Sequence, residues 1–333
     1  MKNFIKTIFL ISLFIPFLSK AALIYTSTGG SMTFELSPKN PGALTNLTIT
    51  ANSFEVDLNN ANISWYLNDN LEIEGIAKKS FSFTTGKNGQ ITNIKAIAMI
   101  GDKKIEKKMY INPADVEIIW EANTYTPPFY KGKALASPKS EVKFVAIPHF
   151  VTDKGVVLQS ENLNYEWSFN FTKITSGLGK NSAKATVGTT LGENIISVKV
   201  SNDKGDLVAE KQIKIIPENV FIAFYEDKPL DGTTYNLALG RSSNFNEKEI
   251  NVRAEPFFFS YPDSASDRNL QFDWTLNGKG ITPNEGTPKI ITLRNESGRE
   301  VLSSLGLTIR NIKKVFQDAS ASVLIKSIPN FNF

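Results

Sequence analysis

Tryptophan recurs at Trp65, Trp167 and Trp274, 102 and 107 residues apart, each time inside the same short pattern. The three copies read Ala61-Asn-Ile-Ser-Trp65-Tyr-Leu-Asn68, Leu163-Asn-Tyr-Glu-Trp167-Ser-Phe-Asn170 and Leu270-Gln-Phe-Asp-Trp274-Thr-Leu-Asn277. Apolar and polar residues alternate through each, which is the period of a strand with one buried face. An alternating run precedes every copy: Leu47, Ile49, Ala51; then Val142, Phe144, Ala146; then Ile250, Val252, Ala254. Another follows: Ile94, Ala96, Ala98; Ile196, Val198, Val200; Leu305, Leu307, Ile309. Solenoid units of about 20 to 50 residues cannot bury a core singly, whereas a unit of ~100 residues can. The repeat therefore predicts whole domains in tandem rather than a stacked solenoid.

Prolines mark the ends of the units at Pro113, Pro217 and Pro329. The expected domains are residues 24–112, 113–216 and 217–329. The segments that open the second and third units also match each other. Pro113-x-x-Val116-x-Ile118-x-Trp120 corresponds to Pro217-x-x-Val220-x-Ile222-x-Phe224, and both continue to a Pro, a Gly and an Ala-Leu pair. Alternation makes each segment the first strand of its domain. A flexible tether would be rich in Gly and Ser, and no such run separates the units. Short alternating strands, turn signals such as Asn202-Asp-Lys-Gly205, and a Trp on an early strand together predict an all-β chain of antiparallel, immunoglobulin-like β-sandwiches. The chain has no Cys, so Ala51, Ala146 and Ala254 stand where antibody domains carry a disulfide, and cohesion must come from apolar burial.

The N-terminus has the three parts of an export signal. Lys2 and Lys6 supply the charge, Ile8 to Leu18 the apolar stretch, and Ser19-Lys20-Ala21 the small residues before a cut. Residues 1–21 are expected to be a signal peptide cleaved after Ala21 or Ala22. The apolar stretch is shorter than the roughly 20 residues that cross a bilayer. Lys2, Lys6 and Lys20 also carry most of the excess positive charge, since without them 34 Lys and Arg face 33 Asp and Glu. A nucleic-acid partner, which needs a concentrated basic surface, is not expected.

The middle unit resembles the PKD (polycystic kidney disease) and bacterial immunoglobulin-like domains through Tyr165-x-Trp167-x-Phe169 and Gly192-x-x-x-x-x-Val198-x-Val200-x-Asn202-x-x-Gly205. The third unit shares part of this and the first little of it. PKD domains carry Gly-Asp-Gly in the turn after the Trp, whereas Asn68, Asn170 and Asn277 stand in that region here, and only Asn277-Gly278 looks like a tight turn. The resemblance implies an exported or surface protein whose domains act as spacers or adhesion modules.

Most candidate chemistry lacks its partners. Gly177-Leu-Gly179-Lys180-Asn-Ser182 looks like the end of a phosphate loop, but the leading Gly is replaced by Ile174, and the pattern recurs as Gly75-Ile-Ala-Lys78-Lys-Ser80, which makes it a repeated turn entering a strand. The chain has one His, His149, and hence no His-based triad or metal set. Asp57-Leu-Asn59-Asn60 and Asp263-x-x-x-Asp267 could offer oxygens to calcium, but solvated turns use the same letters. No catalytic residue, metal or cofactor is expected.

One stretch keeps a ligand in view. Trp120, Tyr125, Phe129 and Tyr130 lie close together in Trp-Glu-Ala-Asn-Thr-Tyr-Thr-Pro-Pro-Phe-Tyr and could stack on sugar rings or grip a peptide. Phe224 replaces Trp120 in the next unit and Tyr235 lies in the equivalent loop, so the same residues also suit a domain junction or a first-strand core. Trp65, Trp167 and Trp274 are expected to be core residues. The chain thus reads as a non-enzymatic, exported structural or adhesion protein of a bacterial cell envelope, presenting loops on a semi-rigid array to a surface protein or glycan. The alternative is a carbohydrate- or peptide-binding accessory protein that uses the aromatic loop. Contact with membrane is expected only through an uncleaved signal segment.

Overall fold

The computed structural model describes residues 32–189, 191–260, 269–283 and 286–327. The signal segment, Asp263, Asp267 and Pro329 lie outside these residues.

Strands form where the alternation predicts them. The first unit holds β1 (Met32–Ser37), β2 (Asn46–Ser53), β3 (Asn62–Leu67), β4 (Asn70–Ile76), β5 (Ser80–Thr84), β6 (Thr92–Ile100) and β7 (Lys103–Ile111). They make two antiparallel sheets, β1-β2-β5 and β4-β3-β6-β7. The second unit repeats the plan with β8 (Asp115–Ala122), β9 (Glu141–His149), β10 (Asn164–Phe169), β11 (Thr172–Leu178), β12 (Ser182–Thr186), β13 (Asn194–Ser201) and β14 (Val208–Ile215), in sheets β12-β9-β8 and β11-β10-β13-β14. Three strands face four in both, the seven-strand sandwich of immunoglobulin-like and fibronectin-type domains.

The third unit enlarges the plan. Its strands are β15 (Phe221–Lys228), β16 (Gly232–Ala238), β17 (Ser242–Phe245), β18 (Glu249–Phe257), β19 (Leu270–Leu276), β20 (Lys279–Ile281), β21 (Ile290–Arg294), β22 (Val301–Asn311) and β23 (Asp318–Ser327). They form sheets β16-β15-β18-β21 and β17-β23-β22-β19-β20, with β17 parallel to β23. The chain leaves β15, turns back as β16, and reaches the opposite sheet as β17. Two strands therefore stand where the second unit has a loop.

Apolar burial divides into three clusters, each built around one repeated tryptophan. Trp65 and Trp167 are wholly buried and Trp274 is 2% exposed. Phe34 and Phe81 stack on Trp65, Phe144 lies beside Trp167, and Phe224 lies beside Trp274. A buried indole N–H needs an acceptor, and the repeat supplies one. The Trp65 Nε1 donates to the Lys78 carbonyl at 2.7 Å, that of Trp167 to the Lys180 carbonyl at 2.9 Å, and that of Trp274 to the Pro288 carbonyl at 2.9 Å. The recurrent Gly-x-x-Lys turn is thus the segment whose backbone holds the core tryptophan, and its likeness to a phosphate loop is incidental.

The Asn three residues beyond each Trp has a second repeated task. Asn68, Asn170 and Asn277 have φ of 48°, 47° and 51°, and the residues after them, Asp69, Phe171 and Gly278, have φ of 67°, 64° and 78°. Two successive residues at positive φ make the two-residue turn whose twist matches a hairpin. The sequence marks only Asn277-Gly278 for this turn, yet all three units adopt it. Each Asn side chain explains why: its Oδ1 accepts the backbone N–H of the neighbouring strand, from Asn93, Ile195 or Ser304, at 2.8 to 2.9 Å. The backbone N–H of the same Asn donates to the carbonyl of Asn93, Ile195 or Ser304, closing a reciprocal pair. Asn tolerates the left-handed region better than most residues, and these bonds hold it there.

Candidate functional site

Alternation along β15 and β18 sends Ile222, Phe224, Val252 and Ala254 into the third core. The opposite face of the same strands ought to be polar if it met water. Instead it carries Phe221, Tyr225, Arg253, Glu255 and Phe257, with Phe221 opposite Phe257, Ala223 opposite Glu255, and Tyr225 opposite Arg253. This face is covered by the loop between β8 and β9, residues 123–140 of the preceding unit.

The loop begins by pairing with the residues just beyond β18. Thr124 bridges Ser260, the Tyr125 N–H donates to the Phe259 carbonyl at 2.7 Å, and the Phe258 N–H returns to the Tyr125 carbonyl at 2.8 Å. Tyr130 then sets its ring edge-on against Phe257 and Phe258, at 5.5 and 6.2 Å between centroids, and Phe129 approaches Tyr235 at 6.4 Å. Leu135 packs on the third core. At the loop's end the side chain of Gln317, 1% exposed, donates from Nε2 toward the Pro138 carbonyl and the Ser260 hydroxyl, both at 2.7 Å, while its Oε1 accepts the Ser260 N–H.

Glu255 is the electrostatic centre of this contact. Its carboxylate is 1% exposed and accepts the Tyr125 hydroxyl at 2.7 Å and the Tyr235 hydroxyl at 2.8 Å, one from each unit. The Arg253 guanidinium lies 3.8 Å away and also 3.5 Å from Asp227, whose carboxylate in turn accepts the Thr233 hydroxyl. A buried carboxylate with two phenols and a cation is a satisfied arrangement, whereas the same group alone would be strongly destabilising. Burial raises the pKa of Tyr235 to about 12, reinforced by its hydrogen bond to Glu255. Burial and the same carboxylate push Tyr125 higher still.

The four aromatic residues singled out in the sequence therefore do not share one open surface. Trp120 is half-buried against the second core with the Lys133 ammonium 3.2 Å from its ring centroid. Tyr125 and Tyr130 contact the third unit, Tyr130 while remaining 40% exposed, and Phe129, 87% exposed and at φ 63°, projects furthest from the loop. In place of a platform for sugar or peptide, the geometry makes this loop a clamp between the second and third units. The sequence reading missed Glu255, Gln317 and Tyr225. The aromatic residues at outward positions of β15 and β18 were the signal that could have found them, because an outward strand face is apolar only when something covers it.

The other candidates are ordinary turn or surface residues. Asp57 accepts bonds from Asn59 and Asn60 at 2.7 to 2.9 Å, so both of its oxygens already serve its own turn. His149 is exposed at the end of β9. Among the described residues no group of three or more His, Cys, Asp or Glu is arranged to hold a metal ion.

Strand order and core packing settle the class. The chain is a tandem array of immunoglobulin-like domains. No family model matches the sequence, and no curated protein matches it. Among solved structures it is similar to three N-terminal domains of the bacteriophage RB49 highly immunogenic outer capsid protein, at 14% identity over 91% of this chain and 100% of that one, with a TM-score of 0.25. It is also similar to the central fibronectin-III array of RIM-binding protein, at 12% identity over 92% and 100% of the two chains, with a TM-score of 0.28. A third is the Bacteroides ovatus glucan-utilisation protein SGBP-B in complex with a mixed-linkage heptasaccharide, at 10% identity over 90% and 71%, with a TM-score of 0.23.

Proposed function

We propose that this protein is an exported, non-enzymatic array of the cell envelope that holds loops away from a surface for structural or adhesive contact. The observation that carries this reading is the clamp of residues 123–140. Two neighbouring domains joined by backbone pairing, aromatic packing and a buried carboxylate resist bending far better than domains joined by a tether. Export is supported by the charged, apolar and small-residue segments of residues 1–21. Membership of the PKD branch is supported by Tyr165-x-Trp167-x-Phe169 in the middle domain. Three domains with strands of ~10 residues at ~3.4 Å per residue would reach on the order of 100 Å end to end. Small-angle scattering on residues 22–333 tests this. An extended particle of that dimension is expected, and a compact one, or a hydrolase or transferase activity lost on mutating one acidic pair, would overturn the reading.

A further inference from the structure

The first junction is built differently from the second. Where the first domain meets the second, the Ala43 N–H donates to the Asp115 carboxylate at 2.9 Å, and Gly42 sits so near that a Cβ there would lie 2.0 Å from Asp115 Oδ1. Gly89 also approaches the second domain closely, a Cβ there lying 2.7 Å from Val151 Cγ1 and 3.0 Å from the Thr152 carbonyl oxygen. Between these contacts lies a cleft of about 550 Å³ with walls from both domains, including Tyr110 and Ile91 on one side and Leu158 and Asn162 on the other. Its volume falls within the range of small-molecule sites, roughly 300 to 1,000 Å³.

Two buried side-chain oxygens of the described residues have no hydrogen-bond partner, Asn88 Oδ1 and Asn112 Oδ1, and both belong to this junction. Asn112 lines the cleft, and Asn88 precedes the Gly89 that touches the second domain. Both oxygens are closed off from solvent, so what Asn112 offers to a molecule in the cleft is the part of its side chain that lines the wall.

We propose that the cleft between the first and second domains binds a neutral saccharide. A sugar ring presents an apolar C–H face and a rim of hydroxyls that both donate and accept. Tyr110, 45% exposed, and Ile91 offer the apolar surface for the ring face. Carboxamides such as Asn112 and Asn162 match hydroxyls because they too donate and accept. Charge decides against an anionic ligand and gives a cation little pull: Lys39 and Lys204 stand among Asp153, Asp203 and Asp206 around the cleft, two cations against three carboxylates, so no strong field of one sign builds up there. The site goes beyond the array reading and does not depend on it, since a rigid spacer needs no sugar.

The test is a glycan array carrying neutral, sialylated and sulfated glycans, probed with the full mature chain. Retention of one or more neutral glycans is expected, with affinity lowered by at least about tenfold in Tyr110→Ala, as for removal of a central aromatic contact, and unchanged in Phe129→Ala. Asn112→Ala, which removes a carboxamide lining the cleft, should also weaken retention and serves as the second variant if Tyr110→Ala does not fold. Retention of no glycan, of charged glycans only, or of neutral glycans with equal affinity by both cleft variants would overturn the proposal. Loss in Phe129→Ala with retention in Tyr110→Ala would overturn it in favour of the aromatic loop.

Discussion

Replacing Tyr125 by Phe removes a single hydroxyl and leaves the ring, its packing and its contact with the Lys289 ammonium at 4.7 Å. What is lost is the 2.7 Å hydrogen bond to a carboxylate only 1% exposed. A hydrogen bond to a charged group contributes about 1.5 to 3 kcal/mol. The Tyr235 hydroxyl at 2.8 Å and the Arg253 guanidinium at 3.8 Å stay in place, so Glu255 is not left bare and the lower part of that range, roughly 1.5 to 2 kcal/mol, applies. The loss should appear in whichever transition reports the joined second and third domains, lowering its midpoint by about 3 to 8 °C in a unit of ~200 residues. Calorimetry on the full chain reads this directly, and the first-domain transition should not move. A double-mutant cycle with Glu255→Gln then isolates the pair, with an expected coupling of about 1 kcal/mol or more. Coupling within about 0.5 kcal/mol of zero would refute the clamp, because independent sites add to that precision.

Trp167→Ala should destabilise the middle domain by about 3 to 5 kcal/mol through lost packing, and Trp167→Phe by about 1 to 3 kcal/mol because the Lys180 carbonyl loses its buried donor; urea unfolding that shows neither would contradict the core role. Phe171→Gly should stabilise the same domain by up to about 1 kcal/mol, since Phe171 is 82% exposed at φ 64°, a conformation costing an L-residue roughly 1 to 2 kcal/mol that glycine's greater freedom when unfolded only partly offsets. Raising the pH should weaken the clamp. Tyr235 is held at about 12 against 10.0 for a free phenol, so its contribution is complete below pH ~10 and disappears as pH rises from ~10 through ~12. The late phase of phenolate absorbance, near pH 12, should shrink in Tyr235→Phe, and an unchanged late phase would count against the buried network.

How much of this was legible depended on which face of a strand was involved. Inward faces leave a period of two in the letters, so β2, β3, β6 and their counterparts could be placed from Leu47, Trp65 and Ile94 alone. The hairpin turns were hidden because their signal lies in a side-chain bond to the next strand: nothing in Asn170-Phe171 announces that Ile195 will hold Asn170 at positive φ. The linking segments misled for a third reason. Gly132 and Leu135 match Gly232 and Leu239 in order though not in spacing, yet Leu135 packs on the following domain whereas residues 232–238 turn back on β15 as β16. Similar letters took different paths because only the second unit has an apolar outer sheet face, that of β15 and β18, directly downstream of its loop.

Stiffness is consequently unequal along the array. At the second junction, bending would break backbone pairing, separate Tyr130 from two phenylalanines and strip two phenols from a buried carboxylate, so its cost is that of partial unfolding. At the first, the Asp115 bond and the close approach of Gly42 and Gly89 are short-range contacts beside an open cleft. The second and third domains should move as one body and the first should articulate on it. A cleft walled by both domains would change width if that junction moved. Any molecule held between Tyr110 and Asn162 would therefore restrain the angle between the first domain and the rest of the chain, and binding and stiffness would be linked by the same contacts.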